Sequence, residues 1–556
     1  MDWYKEAIGY QIYPRSFNDS NNDGIGDLVG IIEKLDYLHN LGVTMIWLGP
    51  IYKSPMDDNG YDVSDYYNIA PEYGTMEDCK LLIDEAHKRD IKVVMDLVLN
   101  HTSDEHEWFI ESRKSLSNKF RDYYIWAKGK VVNGVEQEPT NWASFFQGSA
   151  WKKDEVTKEY FMKLFSRKMP DLNWKSQSMR KDMFKIIRYW CELGIDGYRV
   201  DAVAHLDKAE LVDAEPKENR CVFDWTKFSN LPRVYDYLEE INKEVLNNYN
   251  VFTVGEVGGG ANLDDVLEYV SYAKNRLNMA FTFDHNWRNG GFDSLKDEFI
   301  QDVDLVGLKS DLSRFQVGLY NKSWHALYWL NHDHPRVVSQ YGNIKFHKLS
   351  SKMLATVLYF MWGTAFIYNG EEIGMTNGDF QEISDFQDVA TINLYNNSIK
   401  THTVKQALTN IKTVSRDNAR TPMQWDSSEY GGFSKSKPWI KVNNNHKWLN
   451  VADQVDDDDS ILNHYKRVFS IRKGEYKDTI LYGKYKLLDE NNERVFSYLR
   501  NGERKLLIVC NFFEEETCVS FPFKFKRIVL SNYQDSSNSV QELRLRSFES
   551  IVYEVE

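Results

Sequence analysis

Short apolar runs alternate with stretches of helical periodicity along most of this 556-residue chain. Eight of the runs have the length and apolar character of buried strands. They cover residues 8–13, 45–48, 93–99, 197–200, 252–254, 279–283, 326–330 and 365–368. Residues 75–89 show the helical pattern between two strands, since Thr75 and Asp78 suit a capping box. Eight strands, each followed by a helix, predict an α/β fold of the (β/α)₈ TIM-barrel type, although doubly wound sheets alternate similarly.

Three stretches depart from this alternation and predict additions to the barrel. Residues 102–170 are rich in Trp and Phe without a strand–helix period, which predicts a small lobe inserted after the third strand. Residues 374–450 are polar and irregular, which predicts a loop-rich insertion near the eighth strand. Residues 476–556 alternate apolar and polar positions, which predicts a separate C-terminal antiparallel β domain. The barrel itself then comprises residues 1–101 and 171–475.

Charge and cysteine usage exclude several classes of partner. The 68 basic and 83 acidic residues give a net charge of −15, and without a long basic run we expect no nucleic-acid partner. No run approaches the roughly 20 apolar residues of a membrane span, and we expect neither a membrane partner nor a signal peptide.

The 5 cysteines include no Cys-x-x-Cys pair, which favours free thiols in a reducing cytoplasm. The oligomeric state is not set by the sequence, and a monomer is compatible with it.

Charged and polar side chains follow the predicted strands at their carboxyl ends. Asp201 follows the fourth strand and Glu256 the fifth, while His101 follows the third and Asp333 the seventh. A single His beside a strand end is more often structural. Because the carboxyl ends of barrel strands share one rim, the series on successive strands predicts a common site. Two carboxylates facing one small space suit acid, base or nucleophilic chemistry, such as cleavage of a glycosidic bond.

Four segments of this rim resemble the signature regions of the α-amylase family of glycoside hydrolases (family 13). These segments are 96–101, 197–205, 331–333 and the residue Glu256. Three further segments resemble the oligo-1,6-glucosidase and α-glucosidase subgroup. They are Asn-Gly-Tyr-Asp-Val-Ser-Asp-Tyr at 59–66, Pro-Asp-Leu-Asn-Trp at 170–174 and Ser-Arg-Asp-Asn-Ala-Arg-Thr-Pro-Met-Gln-Trp at 415–425. The resemblance covers nearly the whole chain, including the inserted lobe and the C-terminal domain.

The resemblance implies a retaining mechanism with three carboxylates. Asp201 is then the nucleophile, Glu256 the proton donor and later the base, and Asp333 the residue that stabilises the transition state. Retention requires about 5 Å between the nucleophile and the acid. Arg199 lies two residues before Asp201 on the same strand face, and we expect its charge to keep Asp201 ionised.

The resemblance also implies a set of residues around the terminal glucose. They are Asp62, His101, His332 and Arg336. In the family an Asp–Arg pair closes the non-reducing end of the site, a role that we assign to Asp62 and Arg336. A closed end predicts action on chain ends rather than on chain interiors.

Aromatic and basic residues complete the predicted substrate contacts. Tyr61 and Phe165 are expected to stack on the sugar ring, and Arg199 is expected beside it. Arg416 and Arg420 belong to the loop near the mouth of the site. Their alternative role is that of a salt-bridged loop anchor, especially for Arg420.

The loop after the first strand has the composition of a metal site. Its Asp-x-Asn-x-Asp-Gly spacing resembles the start of an EF-hand, but Gly30 rather than Glu occupies the twelfth position, which excludes an EF-hand. Oxygen atoms at alternate positions predict a structural Ca²⁺ site of the kind found in related α-glucosidases, with Mg²⁺ as an alternative. The expected ligands are Asp19, Asn21, Asp23, the carbonyl of Ile25, and Asp27. The other alternative is an Asx-rich turn without metal.

The residue after the nucleophile bears on linkage preference. In the subgroup Val is typical there of α-1,6-specific enzymes, and this chain has Ala202. We therefore expect a retaining, exo-acting α-glucosidase for short α-linked gluco-oligosaccharides, with α-1,4 linkages favoured or a mixed preference, and no organic cofactor. Met169 and Asn369 replace the Gln residues usual in the subgroup, which leaves the leaving-group preference open.

Four alternatives remain beside this interpretation. Three share the same chemistry, namely an oligo-1,6-glucosidase, a trehalose-6-phosphate hydrolase, and a sucrose isomerase or transglucosidase. A phosphate-binding cation cluster would favour the second, and exclusion of water the third. The fourth is a binding protein without catalysis, which is disfavoured because all three carboxylates are present and no membrane span is expected.

Overall fold

The computed structural model describes residues 2–288 and 303–556. Its central sheet has eight parallel strands in the spatial order β6-β5-β4-β3-β2-β1-β8-β7. Strands β1–β8 are Ile8–Ile12, Met45–Leu48, Lys92–Val98, Gly197–Asp201, Phe252–Glu256, Met279–Phe281, Ala326–Leu327 and Thr364–Tyr368. Strands β6 and β7 lie side by side, so the barrel is nearly closed. The TIM-barrel prediction and all eight predicted strands are confirmed.

Burial on both faces explains why these strands are uniformly apolar. Every residue of β1, β4 and β8 is buried, since helices cover the outer face of the sheet and side chains fill the inner one. The strand register then sets the rim. Arg199 on β4 lies opposite Asp96 on β3 and Val254 on β5. The last residues of β4 and β5 are Asp201 and Glu256, so both project from the carboxyl ends of adjacent strands.

Helices follow the strands in the order that the sequence predicts. The barrel helices are Leu28–Glu33, Leu35–Leu41, Met76–His87, Gln177–Glu192, Pro232–Glu244, Leu263–Val270, Leu305–Gly318, His347–Tyr359 and Ile461–Lys473. The capping box between Thr75 and Asp78 is confirmed. Shorter α-helices are Asp284–Trp287, Val337–Gln340, Val451–Val455 and Lys477–Tyr482. Within residues 2–288 and 303–556, no helix combines the length and apolar character needed to cross a membrane.

The segment predicted as an inserted lobe has its own small sheet and core. It contains the helix Glu107–Ser112, a three-stranded antiparallel sheet and a hairpin. The sheet strands are Trp126–Ala127, Tyr160–Met162 and Trp151–Lys153, and the hairpin strands are Lys130–Val132 and Val135–Gln137. Trp142, Trp151 and Met162 pack in its core. A bridge between His101 and Asp171 joins the entry and exit of the segment, which anchors it above β3.

The insertion predicted to be loop-rich is partly helical. It contains the α-helices Val389–Ser398, Val404–Val414 and Asp417–Arg420. A small core of Phe380, Phe386, Leu394, Ile411 and Ile440 holds them together. The first helix is rich in Asn and β-branched residues, which have low helix propensity. Its start is stabilised by Asp388, whose carboxylate accepts the backbone N–H groups of Ala390 and Thr391.

The C-terminal part forms the predicted antiparallel domain. Its five-stranded sheet has the order Lys484–Leu488, Val495–Asn501, Lys505–Asn511, Ser550–Val555 and Phe525–Ser531. A second ribbon pairs Thr517–Val519 with Leu543–Leu545. Buried Lys309, on a barrel helix, donates to the carbonyls of Asp489 at 2.9 Å and Asn492 at 2.6 Å, which fixes this domain to the barrel. All five cysteines of the chain are free thiols.

Candidate active site

A single buried arginine organises the carboxylates at the rim. The guanidinium of Arg199 donates to Asp96 at 2.6 Å and to Asp201 at 2.7 Å, and its other terminal nitrogen pairs with Glu256 at 2.9 Å. These residues come from β3, β4 and β5. Because one planar guanidinium holds both, the carboxylates of Asp201 and Glu256 lie side by side within a few ångströms.

The chain turns sharply directly after Asp201. Ala202 has a φ of 45°, in the left-handed region that residues with a Cβ seldom adopt. The turn directs the backbone N–H of Ala202 toward Glu256, whose carboxylate accepts it at 3.0 Å. A strained conformation of this kind persists only where the surroundings impose it. Here the turn links Ala202, which follows Asp201, to the side chain of Glu256.

The charge balance around Asp201 is set by three carboxylates and one guanidinium. Burial raises the pKa of Asp201 well above its usual range, Arg199 lowers it, and Glu256 and Asp96 raise it again. The net shift of the Asp201 pKa is upward, because one cation does not offset burial and two neighbouring carboxylates. This direction differs from the expectation that Arg199 keeps Asp201 ionised.

Asp333 has the opposite environment on the other side of the site. One of its oxygens accepts from Arg416 and from Arg420, each at 3.1 Å, and His332 lies 3.2 Å from the other oxygen. Burial opposes ionisation, but the guanidinium charges of Arg416 and Arg420 outweigh it and hold the pKa of Asp333 well below its usual range. Burial also lowers the pKa of His332, so its ring is neutral and the two permanent guanidinium charges keep Asp333 ionised.

The predicted pairing of Asp62 with Arg336 is wrong. The Asp62 carboxylate turns into its own loop and accepts the backbone N–H groups of Asp57 at 2.9 Å and Asp58 at 3.0 Å. The buried guanidinium of Arg336 donates to the carbonyls of Asn369 at 2.6 Å and Ala419 at 2.9 Å. Both side chains are thus used to hold loops in place.

The Asp–Arg pair at the site is instead formed by Asp58 and Arg416. Asp58 is 3% exposed and Arg416 is 6% exposed. A guanidinium nitrogen of Arg416 lies 2.7 Å from a carboxylate oxygen of Asp58. Arg416 also pairs with Asp388 and with Asp333, so it joins the region 374–450 to two loops that are far from it in sequence. Sequence reasoning missed Asp58 and Asp388. Asp58 stands between two other acids of the same loop, and only the folded loop distinguishes which carboxylate faces Arg416.

The remaining predicted contacts surround these carboxylates. The Tyr61 ring stacks on His332 at a centroid distance of 5.1 Å, and its hydroxyl donates to Asp96 at 3.2 Å. His101 is buried and lies 5.1 Å from the ring of Phe165. Burial lowers the pKa of His101 to about 4, so its imidazole is neutral near pH 7. Tyr61 and His332 thus lie against Asp96 and Asp333, whereas His101 and Phe165 contact each other.

The predicted metal loop is folded around its own backbone. The side-chain oxygens of Asp19, Asn21, Asp23 and Asp27 accept N–H groups from within residues 20–30 at distances of 2.7 to 2.9 Å. Across residues 2–288 and 303–556, no three His, Cys, Asp or Glu side chains converge as a metal site requires. The predicted ligand set also includes Asn21 and the carbonyl of Ile25, and in this loop its side-chain oxygens serve as the hydrogen-bond acceptors of an Asx-rich turn.

A TIM barrel with a cluster of carboxylates at its carboxyl rim defines a glycosidase-type site. Residues 11–483 match the alpha-amylase catalytic domain. The chain belongs to the α-amylase family of glycoside hydrolases, in the oligo-1,6-glucosidase and α-glucosidase subgroup.

Relatives align along the entire chain. An oligo-1,6-glucosidase of Bacillus cereus is 45% identical over 562 residues, covering 100% of this chain and 99% of the relative. Among solved structures, the trehalose-6-phosphate hydrolase of Bacillus licheniformis has a TM-score of 0.93 at 41% identity, covering 100% and 99% of the two chains. The isomaltulose synthase of Klebsiella sp. LX3 has a TM-score of 0.94 at 36% identity, with the same coverage. The chain is thus similar to enzymes with three different names.

Proposed function

We propose that the protein is a retaining, exo-acting α-glucosidase that releases glucose from the non-reducing ends of short α-linked gluco-oligosaccharides. The observation that carries this proposal is the side-by-side placement of Asp201 and Glu256 on the guanidinium of Arg199. A retaining mechanism needs its two carboxyl groups at about 5 Å, whereas an inverting one needs room for a water molecule between them. Shared contacts with one guanidinium favour the shorter separation.

The proposed reaction has two displacements at the anomeric carbon. An oxygen of Asp201 attacks this carbon, the glycosidic bond breaks, and Glu256 gives its proton to the departing oxygen. Glu256 then takes a proton from water, the water oxygen attacks the same carbon, and the bond to Asp201 breaks. Asp333 remains ionised beside its two arginines and stabilises the positive charge that develops on the sugar ring.

Exo action is supported by the buried Asp58–Arg416 pair. Arg416 bonds to Asp58 at 2.7 Å and to Asp333 at 3.1 Å, so the pair stands directly beside a proposed catalytic residue. A buried ion pair can bind sugar hydroxyl groups while it blocks continuation of the chain on its side. We propose this role for Asp58 and Arg416 in place of Asp62 and Arg336.

The linkage preference is tested by one panel of substrates. We expect kcat/KM to be higher for maltose than for isomaltose, sucrose or trehalose 6-phosphate, because Ala202 places no branched side chain beside Asp201. Ala202→Val is expected to move the ratio toward isomaltose. It should also lower the melting temperature, since a β-branched residue at a φ of 45° costs roughly 1 kcal/mol more than Ala.

The matched variant is Ala202→Gly, which accepts the left-handed backbone without strain and adds no side chain. It should keep the preference for maltose. A wild-type preference for isomaltose would contradict the proposed linkage. A preference for trehalose 6-phosphate would instead favour the activity of the trehalose-6-phosphate hydrolase relatives. Conversion of sucrose to an isomer would favour the activity of the isomaltulose synthase relatives.

We propose that the loop 19–27 binds a structural Ca²⁺ ion, since its oxygen-rich composition suits this ion. If the loop rearranges around the ion, 1 mM calcium should raise the melting temperature by a few degrees relative to a chelator, as any ligand selective for the folded state does. Asp23→Ala should remove this rise, and magnesium should be compared at the same concentration. Identical melting temperatures with calcium and with the chelator would dismiss the site.

A further inference from the structure

Six aromatic side chains form a continuous wall between the inserted lobe and the loop that follows β4. This aromatic wall consists of Phe145, Phe165, His205, Phe223, Trp225 and Phe228. Phe145 is at its centre. Its ring stacks on Phe165 at a centroid distance of 4.9 Å, and it lies 5.2 Å from Phe223 and 5.4 Å from Trp225.

The aromatic wall has one end next to a buried ring and the other end at the surface. At the inner end Phe165 contacts His101, which is 1% exposed. At the outer end Phe223 is 38% exposed and Trp225 is 39% exposed. Two adjacent large aromatic side chains at the surface are costly to hydrate, and such patches commonly mark binding sites. The wall therefore leads from the proposed site to the surface.

The outer end of the aromatic wall lies on the side of the proton donor. A Cβ atom on Gly259, three residues after Glu256, would be 3.3 Å from the Trp225 ring, and one on Gly260 would be 3.9 Å from it. The indole thus packs against the loop that continues from Glu256. Because Glu256 serves the departing oxygen in the proposed reaction, the sugar beyond that oxygen extends toward this loop.

The loop that carries Phe223 and Trp225 is fixed to the lobe. The N–H of Val222 donates to the carbonyl of Asn141 at 2.7 Å, and the N–H of Ala143 donates to the carbonyl of Val222 at 2.9 Å. The Trp142 indole also donates to the carbonyl of Val212 at 2.8 Å. The two halves of the aromatic wall are therefore held together before a ligand arrives, which reduces the entropy lost on binding.

We infer that Trp225 and Phe223 form a stacking platform for glucose residues on the leaving-group side, beyond the bond that is cleaved. The apolar faces of pyranose rings pack on aromatic faces, and Trp225 offers such a face at the exposed end of the aromatic wall. The platform gives the enzyme a preference for oligosaccharides longer than a disaccharide. This inference rests on the proposed glucosidase function and specifies its substrate class.

The test compares substrates that differ only in length. Trp225→Ala is expected to lower kcat/KM for maltotetraose about 10-fold, mainly through KM, because one stacking contact is lost. The same variant should keep kcat/KM for 4-nitrophenyl α-glucoside within about 2-fold of wild type. Phe223→Ala should act in the same direction with a smaller effect, and Trp225→Tyr, which keeps an aromatic face, should restore most of the loss.

Trp3→Ala is the matched control, since Trp3 packs on Phe252 at the opposite end of β5 at a centroid distance of 5.8 Å. It should leave the length preference unchanged. Equal losses on the aryl glucoside and on maltotetraose, or no loss on either, would overturn the platform. Absence of glucose release by the wild type from every α-glucoside would instead refute the proposed function, so the two failures are distinguishable.

Discussion

Asp201→Asn is expected to lower kcat on maltose by about four orders of magnitude or more while the protein still folds. The amide keeps the shape of the side chain but is too weak a nucleophile to displace a sugar oxygen. Loss of one negative charge beside Arg199 is tolerated, because Asp96 and Glu256 remain paired with the same guanidinium at 2.6 and 2.9 Å. Initial rates and thermal unfolding, measured on the same preparation, check the prediction.

The matched control is Asp196→Asn at the opposite end of the same strand. Asp196 precedes β4 and bonds to His87 at 2.6 Å and Lys92 at 2.9 Å, far from the rim. This variant should lose some stability but keep kcat. Substantial turnover by Asp201→Asn would show that Asp201 is not the nucleophile.

Glu256→Gln is expected to lower kcat on maltose about 10³-fold but to affect the first displacement of 4-nitrophenyl α-glucoside much less. A nitrophenolate departs without a proton, whereas the hydroxyl of a sugar leaving group requires one. The second displacement still lacks its base, so a burst of nitrophenol equal to the enzyme concentration should precede a slow steady state. Stopped-flow absorbance measures both phases.

Reaction with azide distinguishes the nucleophile from the acid/base residue by the anomeric configuration of the product. In Glu256→Ala, azide attacks the glycosyl-enzyme after one inversion, and the product is α-glucosyl azide. In Asp201→Ala, azide attacks the substrate directly, and the product is β-glucosyl azide. Each displacement inverts the anomeric carbon, so the opposite pair of products would require exchange of the two assigned roles.

The barrel and the placement of Asp201 and Glu256 at its rim were predictable because both depend on local patterns. Each β strand is a short apolar run, and Asp201 and Glu256 directly end two such runs. Parallel strands place their carboxyl ends at one rim, so the order of the strands already brings these residues together. The helix Val389–Ser398 has no such pattern in the sequence. It is stabilised by the Asp388 cap and by packing rather than by helix propensity.

The ion pair between Asp58 and Arg416 was not predictable from local patterns. Asp57, Asp58 and Asp62 belong to one short loop, and their types and spacing are equivalent as candidates for an arginine partner. Asp62 is not the partner of Arg416, because its carboxylate accepts backbone N–H groups of its own loop. Arg416 is more than 350 residues away in sequence, so its contact with Asp58 depends on the folding of the whole barrel.

The contacts of Arg416 connect the region 374–450 to Asp333, a proposed catalytic residue. Asp388 caps a helix of this region and pairs with Arg416, which in turn bonds to Asp333 from the loop after β7. Local opening of that small helical unit would release Arg416 and Asp333 while the eight strands remain paired. Among the hydrophobic clusters of the described residues, the one in this unit is the smallest. If Asp333 has its proposed role, we therefore expect mild heating to abolish activity before the barrel unfolds.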